Sequence, residues 1–160
     1  MSRALGATLP AALVSELSQS DLPSRLGLAI PLLTVDADGR PHPMLLSHLE
    51  ILAVSASMLR VAIGGRSRSA ANLAARGHAT LLLIEPAHTL YVKCRAAGAP
   101  LVLGDLARFE LAVVEVLEDA AAAWEEDLRI TGGITYAPAP ALDAPWVRET
   151  LAALRAEPAA

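Results

Sequence analysis

The sequence predicts a mainly β, α+β fold: a small barrel of about six antiparallel strands with helices at both ends. Short apolar runs bounded by turn residues fill the chain from about residue 26 to residue 119, as expected for strands. Helical periodicity occurs near both termini and once, briefly, between the strands. This combination favours a barrel decorated by an N-terminal helix, one short internal helix and C-terminal helices.

The composition is that of one packed domain, which we assign to residues 1–160. The chain is 54% apolar and 19% charged, so it can bury a core and is not expected to be disordered. A net charge of −4 argues against general nucleic-acid binding. No apolar run is long enough to span a bilayer and the N-terminus lacks the pattern of a signal peptide, so we expect a cytoplasmic protein without a membrane partner.

The first elements are a helix and a hairpin. Apolar residues fall on one side of the segment from about Pro10 to Gln19, which predicts an amphipathic helix. Two apolar stretches then flank "DADGR", and Gly39 suits the positive φ of a hairpin turn. The aspartates also suggest calcium, but the further oxygen ligands and the later Glu of an EF-hand are absent.

Four further strands follow the hairpin in the order "MLRVAIGG", "HATLLLIEP", "TLYVKCRAAG" and "DLARFELAVVEVLED". The third of these alternates cleanly, with Tyr91, Lys93 and Arg95 on one face and Val92 and Cys94 on the other. In the last strand the phase of the apolar residues slips near the middle, which predicts a β-bulge.

The C-terminal part of the chain is predicted to be helical. One helix begins at about Asp119, in "DAAAAWEEDLRI", and ends at two glycines. A second helix covers "WVRETLAALRA", with Asp143 as its cap and Pro145 in its first turn. We therefore expect a barrel core over about residues 9–117 and a helical extension over residues 118–160.

The motif "GGRSRSAANLAARG", from Gly64 to Gly77, has the chemistry of an anion site. A strand ends in two glycines and runs into a helix, whose first N–H groups are unpaired and point along the helix dipole. Nearby hydroxyls and guanidinium groups can bind phosphate oxygens. The spacing is neither that of a Walker loop nor that of a Rossmann fingerprint. A capped surface helix with solvated arginines explains the same residues equally well.

The order of these motifs resembles the FMN-binding split-barrel family, the group around pyridoxamine 5′-phosphate oxidase. The resemblance runs from about Leu9 to about Leu117 and depends on "IPLLTVDADGRPHPMLLS", "LRVAIGGRSRSAANLAARGHATLLLIE" and "LYVKCRAAG". It implies a split β-barrel and a homodimer with FMN at the subunit interface. It places the phosphate near Arg66, Ser67, Arg68, Ser69 and Asn72. It places the isoalloxazine ring near Leu46, Ser47, His48, Ala62, Ile63 and Gly64.

Several other side chains are candidates for the site. Lys93 is the single lysine of the sequence, and its polar stripe either lines the phosphate site or is a solvated strand face. His48 can hydrogen-bond a flavin ring or pack against a loop. Trp146 and Tyr136 can cover a ring system or anchor the last helix. Four scattered histidines and Cys94 have no metal-ligand spacing, so no metal site is predicted.

The expected function is that of an FMN-dependent oxidoreductase of unknown substrate. The sequence contains no convincing nucleophile–base pair, but in a flavoprotein the flavin performs the hydride chemistry and the protein positions it. Two alternatives remain open. One is a non-enzymatic carrier or sensor that binds flavin, deazaflavin or haem, and the other is a relic of the fold with solvated arginines.

Overall fold

Nine strands of the described chain form one antiparallel sheet. The computed structural model describes residues 2–86, 88–119, 121–125 and 128–157. The sheet has the order β3-β2-β6-β7-β9-β5-β4, and β1 and β8 pair with β9. The strands are β1 (Ser2–Gly6), β2 (Ala29–Val35), β3 (Pro41–Ser47), β4 (Ile51–Ser55), β5 (Met58–Gly64), β6 (His78–Glu85), β7 (His88–Ala96), β8 (Leu101–Leu103) and β9 (Leu106–Asp119).

The mainly β, α+β fold class is confirmed, and the strand count is corrected from about six to nine. The additional strands β1, β4 and β8 have only three to five residues each. Strand β4 is separate because a 3₁₀ turn over His48–Glu50 interrupts the chain after β3. Ser47 and Glu50 hold that turn in a capping box, which ends the β3 ladder at Ser47.

The predicted hairpin and bulge are both confirmed. Strands β2 and β3 pair from Ala29↔Ser47 to Val35↔Pro41, and Gly39 adopts a φ of 83° in the turn. On β9, Lys93 pairs with Glu115 and Cys94 pairs with Val113, so Val114 is the extra residue of the bulge. The alternation of β7 is confirmed as well, with Val92 and Cys94 in the core.

Three α-helices pack on the sheet: α1 (Ala11–Glu16), α2 (Arg68–Arg76) and α3 (Pro145–Arg155). The N-cap of α3 is Ala144 rather than the predicted Asp143, because the helix begins at Pro145 and Asp143 lies one position too early. None of these helices, within the residues described, is long and apolar enough to cross a membrane.

The predicted helix after Asp119 is replaced by a short 3₁₀ turn over Ala123–Glu125 and extended chain. Residues 120, 126 and 127 of that prediction lie outside the described residues. Beyond the segment predicted as helix, at residues 134–136, the chain returns to the start of β2. The N–H of Ala29 donates to Ile134 O at 3.0 Å, and the N–H of Tyr136 donates to Gly27 O at 2.8 Å.

The main core lies inside the curved sheet and is closed by α1, whose Leu13 is fully buried. Helix α3 covers a second face, where Ala153 and Leu154 pack on Ala62 of β5. Two arginines of the sheet hold the C-terminal end of this helix. Arg60 donates to Leu154 O at 3.2 Å, and Arg108 donates to Ala153 O at 3.3 Å and to Ala156 O. These cations therefore satisfy carbonyl groups at the negative end of the helix dipole.

Candidate functional site

The junction between β5 and α2 has the local structure that the motif predicts. Ser67 is the N-cap, and its Oγ accepts a hydrogen bond from the N–H of Ala70 at 3.1 Å. The first i→i−4 hydrogen bond of the helix runs from the N–H of Ala71 to Ser67 O. The N–H groups of Arg68 and Ser69 precede that bond, at the positive end of the dipole. Gly77 ends the helix with a φ of 71°.

Arg66 and Arg68 are the exposed cations of this junction. The Arg68 guanidinium lies 3.9 Å from Asp36 Oδ2, and its side chain is 69% exposed. Arg66 is exposed at the edge of a cavity of about 310 Å³. The other cavity walls come from the start of α2 and from β8 and β9: Gly65, Ala70, Ala71, Ala74, Pro100, Val102, Gly104, Asp105, Ala107 and Phe109. An anion at this edge would meet the Arg66 guanidinium, and the unpaired N–H groups of Arg68 and Ser69 lie next to it along the chain.

Asn72 and Arg76 tie the same helix to the β2–β3 hairpin. The Asn72 amide donates to Thr34 Oγ1 at 3.0 Å and to Asp36 Oδ1 at 2.9 Å. Arg76 donates to Val35 O at 2.5 Å and to Asn72 Oδ1. The Asn72 hydrogen bond also holds the pKa of Asp36 below its usual value. Asn72 thus positions α2 in this structure, and its contact with a phosphate stays a prediction.

The residues predicted to contact a flavin ring are mostly buried. The side chains of Leu46 and Ile63 lie in the main core, and Ala62 is covered by α3. Ser47 is engaged with Glu50, and burial raises the pKa of the Glu50 carboxyl. Gly64, at the end of β5, is the exposed member of this set. Contacts between the flavin ring and the five buried residues stay a prediction. Such contacts would need either backbone atoms or side chains that change conformation.

A second cavity of about 700 Å³ adjoins the first. Both are lined by Gly104 and Asp105 of the β8–β9 turn, and Trp146 of α3, 49% exposed, lines the larger one. The remaining lining residues are Glu50, Leu103, Leu106, Glu149, Thr150, Ala152, Ala153 and Ala156. The two cavities open on opposite faces of the β8–β9 pair, since Val102 and Ala107 line the smaller one and Leu103 and Leu106 the larger one. They meet around the Gly104–Asp105 turn. Of the lining residues, the sequence indicated a ligand role for Trp146, as an aromatic that can cover a ring.

Within one chain, Lys93 lies far from Arg66 and Arg68 of the β5–α2 junction. Its Nζ lies 2.6 Å from Glu115 Oε2 on the exposed face of β7. Glu115 and Leu106, the partner of Gly64, are nine residues apart on β9. That separation corresponds to roughly 30 Å along a strand. A ligand role for Lys93 stays a prediction that requires a second chain.

His48 and Cys94 are both buried and differ in what they can do. Burial, with a smaller effect of the nearby Arg25, lowers the pKa of His48 to about 4, so its imidazole is neutral at pH 7. Burial raises the pKa of the Cys94 thiol to about 12, so it stays protonated and packs as a small apolar side chain. His48 is therefore a possible hydrogen-bonding or ligating group, and Cys94 is not a nucleophile.

Comparison with known proteins identifies the fold. No protein-family model and no curated protein matches the chain. A candidate pyridoxamine 5′-phosphate oxidase from Lactobacillus delbrueckii has a TM-score of 0.56 at 18% identity, covering 71% of this chain and 98% of its own. An FMN-binding protein from Syntrophomonas wolfei has a TM-score of 0.52 at 16% identity, covering 69% and 89%.

HupZ from Group A Streptococcus has a TM-score of 0.51 at 12% identity, covering 64% of this chain and 99% of its own. Identities this low establish the fold alone. The chain has the split-barrel fold of the pyridoxamine 5′-phosphate oxidase-like proteins, as the sequence resemblance implies.

Proposed function

We propose that this protein binds FMN and acts as an FMN-dependent oxidoreductase. The observation that supports this best is the position of Arg66, exposed at a cavity edge beside the first turn of α2. The split-barrel fold, shared with a structure named as an FMN-binding protein, supports the same ligand. Bound FMN would supply hydride or electron transfer, and the protein would position it.

The donors of the junction fit a phosphate group. Ser67 Oγ accepts a hydrogen bond from the N–H of Ala70, and its O–H can still donate. The other donors are the N–H groups of Arg68 and Ser69 and the two guanidinium groups. Arg66 would neutralise charge at the cavity, and Arg68, which also faces Asp36, would contribute less. A phosphate dianion at a helix N-terminus with arginine beside it is a favourable arrangement in general.

With its phosphate at Arg66, the flavin would pass around the Gly104–Asp105 turn to place its ring system in the larger cavity. Its wall includes an aromatic side chain, Trp146, and small residues of α3, which leave room for a flat ligand. Helix α3 would also exclude water from one side of that ligand. This gives the C-terminal helix a role in the proposed site through Trp146, for which the sequence leaves open a role in covering a ring or in anchoring the helix.

The test is to mix purified protein with FMN, remove free FMN by gel filtration and record the visible spectrum. We expect flavin absorbance to elute with the protein and to bleach when a reduced nicotinamide is added without oxygen. Retained flavin that reduced nicotinamides do not bleach would support a carrier instead of an oxidoreductase. Absence of retained flavin at micromolar protein and FMN would overturn the proposal.

The proposal includes a C2 homodimer with the flavin at the subunit interface. Large apolar side chains are exposed beside both cavities, namely Val102 at 69% and Trp146 at 49%. A second chain that covered them would also close the cavities toward solvent. Light scattering at micromolar concentration should give about twice the chain mass of 16.7 kDa. A mass equal to one chain would contradict the dimer.

A further inference from the structure

A group of ionisable side chains lies where α1, the His48–Glu50 turn and the β6–β7 hairpin meet. We call Glu16, Arg25, His48, Glu85 and His88 the buried cluster. One Arg25 nitrogen lies 2.6 Å from Glu85 Oε1 and 3.1 Å from Glu16 Oε1. His88 Nε2 lies 3.6 Å from Glu16 Oε2. The cluster therefore places two carboxylates, two imidazoles and one guanidinium in a small volume.

The polar groups of the buried cluster are incompletely satisfied. Glu16 has a side chain only 5% exposed, and its Oε1 makes no hydrogen bond despite the nearby guanidinium. His88 Nε2 is likewise buried without a hydrogen-bond partner. Buried polar atoms of this kind are uncommon, and a bound ion or water is one explanation of them.

We propose that Glu16, His48 and Glu85 bind a divalent first-row transition-metal ion, with Zn²⁺ as the probe. One ligand atom from each residue lies within 4.8 Å of the other two. Small side-chain rotations would bring all three to the about 2.0–2.2 Å of Zn–N and Zn–O bonds. An imidazole ligand such as His48 favours zinc-like ions over Mg²⁺ or Ca²⁺. His88, beside Glu16 Oε2, would orient that carboxylate.

Arg25 occupies the position of the cation in the metal-free protein. Its guanidinium contacts both carboxylates, and its side chain is 25% exposed, so it can move toward solvent when the metal binds. Metal binding and the Arg25 ion pairs are therefore in competition. Because of this competition, removing Arg25 should strengthen metal binding. A purely structural ion-pair network would not give that result. The site involves neither Arg66 nor the cavities, so its failure would leave the flavin proposal intact.

The experiment is equilibrium dialysis of the full chain against Zn²⁺, with Mg²⁺ for comparison. We expect one Zn²⁺ per chain, and a loss of affinity of at least about tenfold in both Glu16→Gln and Glu85→Gln, since even outer-shell partners contribute that much. Arg25→Gln should bind Zn²⁺ more tightly, because the competing cation is gone. The matched control is His78→Gln, an exposed histidine beside Arg95, which should leave Zn²⁺ binding unchanged.

Thermal unfolding with and without Zn²⁺ shows whether each variant folds and whether the ion stabilises the native state. Zn²⁺ should raise the midpoint of the wild-type chain and of Arg25→Gln. If Arg25→Gln loses stability and gains no affinity for Zn²⁺, the cluster is an ion-pair network and the proposal is wrong. Equal Zn²⁺ binding by wild type and a folded Glu16→Gln or Glu85→Gln variant would also overturn it.

Discussion

Arg108→Ala is expected to lower the free energy of unfolding by about 3 kcal/mol, taking 1.5–3 kcal/mol for each hydrogen bond from a charged group. The Arg108 side chain is 2% exposed, and it donates to the carbonyls of Ala153 and Ala156 at the end of α3. Removing it leaves those carbonyls without their donor and creates a cavity beneath the helix. Urea unfolding followed by circular dichroism measures the change.

The matched control is Arg148→Ala, since Arg148 is an exposed arginine on the same helix. Exposed substitutions of this kind usually change stability by no more than about 0.5 kcal/mol. Limited proteolysis should also cut α3 faster in Arg108→Ala than in Arg148→Ala. If the two variants unfold at the same urea concentration, the buried arginine does not hold α3 in the way described.

Arg66→Ala is expected to weaken FMN binding by roughly ten- to a hundredfold. A charged hydrogen bond contributes about 1.5–3 kcal/mol, which corresponds to that range. Arg66 lies at the strand-to-helix junction, at the cavity edge, where the free N–H groups converge. Titration by quenching of FMN fluorescence gives the affinity, and the effect should shrink at high salt because the ligand is a dianion.

Two other arginines are the comparisons for this measurement. Arg40→Ala removes a side chain that is 83% exposed and paired with Asp38, so FMN affinity should not change. Arg76 lies eight residues after Arg68, about 12 Å along the helix axis, so Arg76→Ala should change FMN affinity little. Arg76→Ala should instead lower the free energy of unfolding, because Arg76 donates a hydrogen bond to Val35 O. Equal FMN affinities for Arg66→Ala and Arg76→Ala would mean that the motif is only a capped helix.

Most of the fold could be predicted because its elements depend on neighbouring residues. The turn at Gly39, the faces of β7 and the extra Val114 all follow from short-range patterns. Strands such as β1 and β8 could not be predicted, since three to five residues carry little periodicity and they form by pairing with β9. The segment after Asp119 is predicted as helix because its alanines favour one, but the structure has a 3₁₀ turn over Ala123–Glu125 there. The pairing of residues 134–136 with residues 27–29 is non-local, so no local pattern predicts it.

In the candidate site, too, features set by neighbouring residues could be predicted and features set by non-local packing could not. The start of α2 after Ser67 and its end at Gly77 follow from local residue chemistry, so the sequence predicts them. The cavities depend on the packing of α3 against the β8–β9 turn, which no local pattern reveals. The buried cluster joins residues more than sixty positions apart, Glu16 and Glu85 among them. Counting histidine and cysteine spacings alone therefore could not indicate a metal site.

The affinity of the protein for FMN compared with riboflavin tests the central claim most directly, because the two ligands share the ring and differ in the phosphate. Both can be titrated by flavin fluorescence under one set of conditions. If the junction at Arg66 binds the phosphate, FMN should bind at least about a hundredfold more tightly, and Arg66→Ala should reduce that preference. Equal affinity for FMN and riboflavin would contradict a phosphate site at the start of α2.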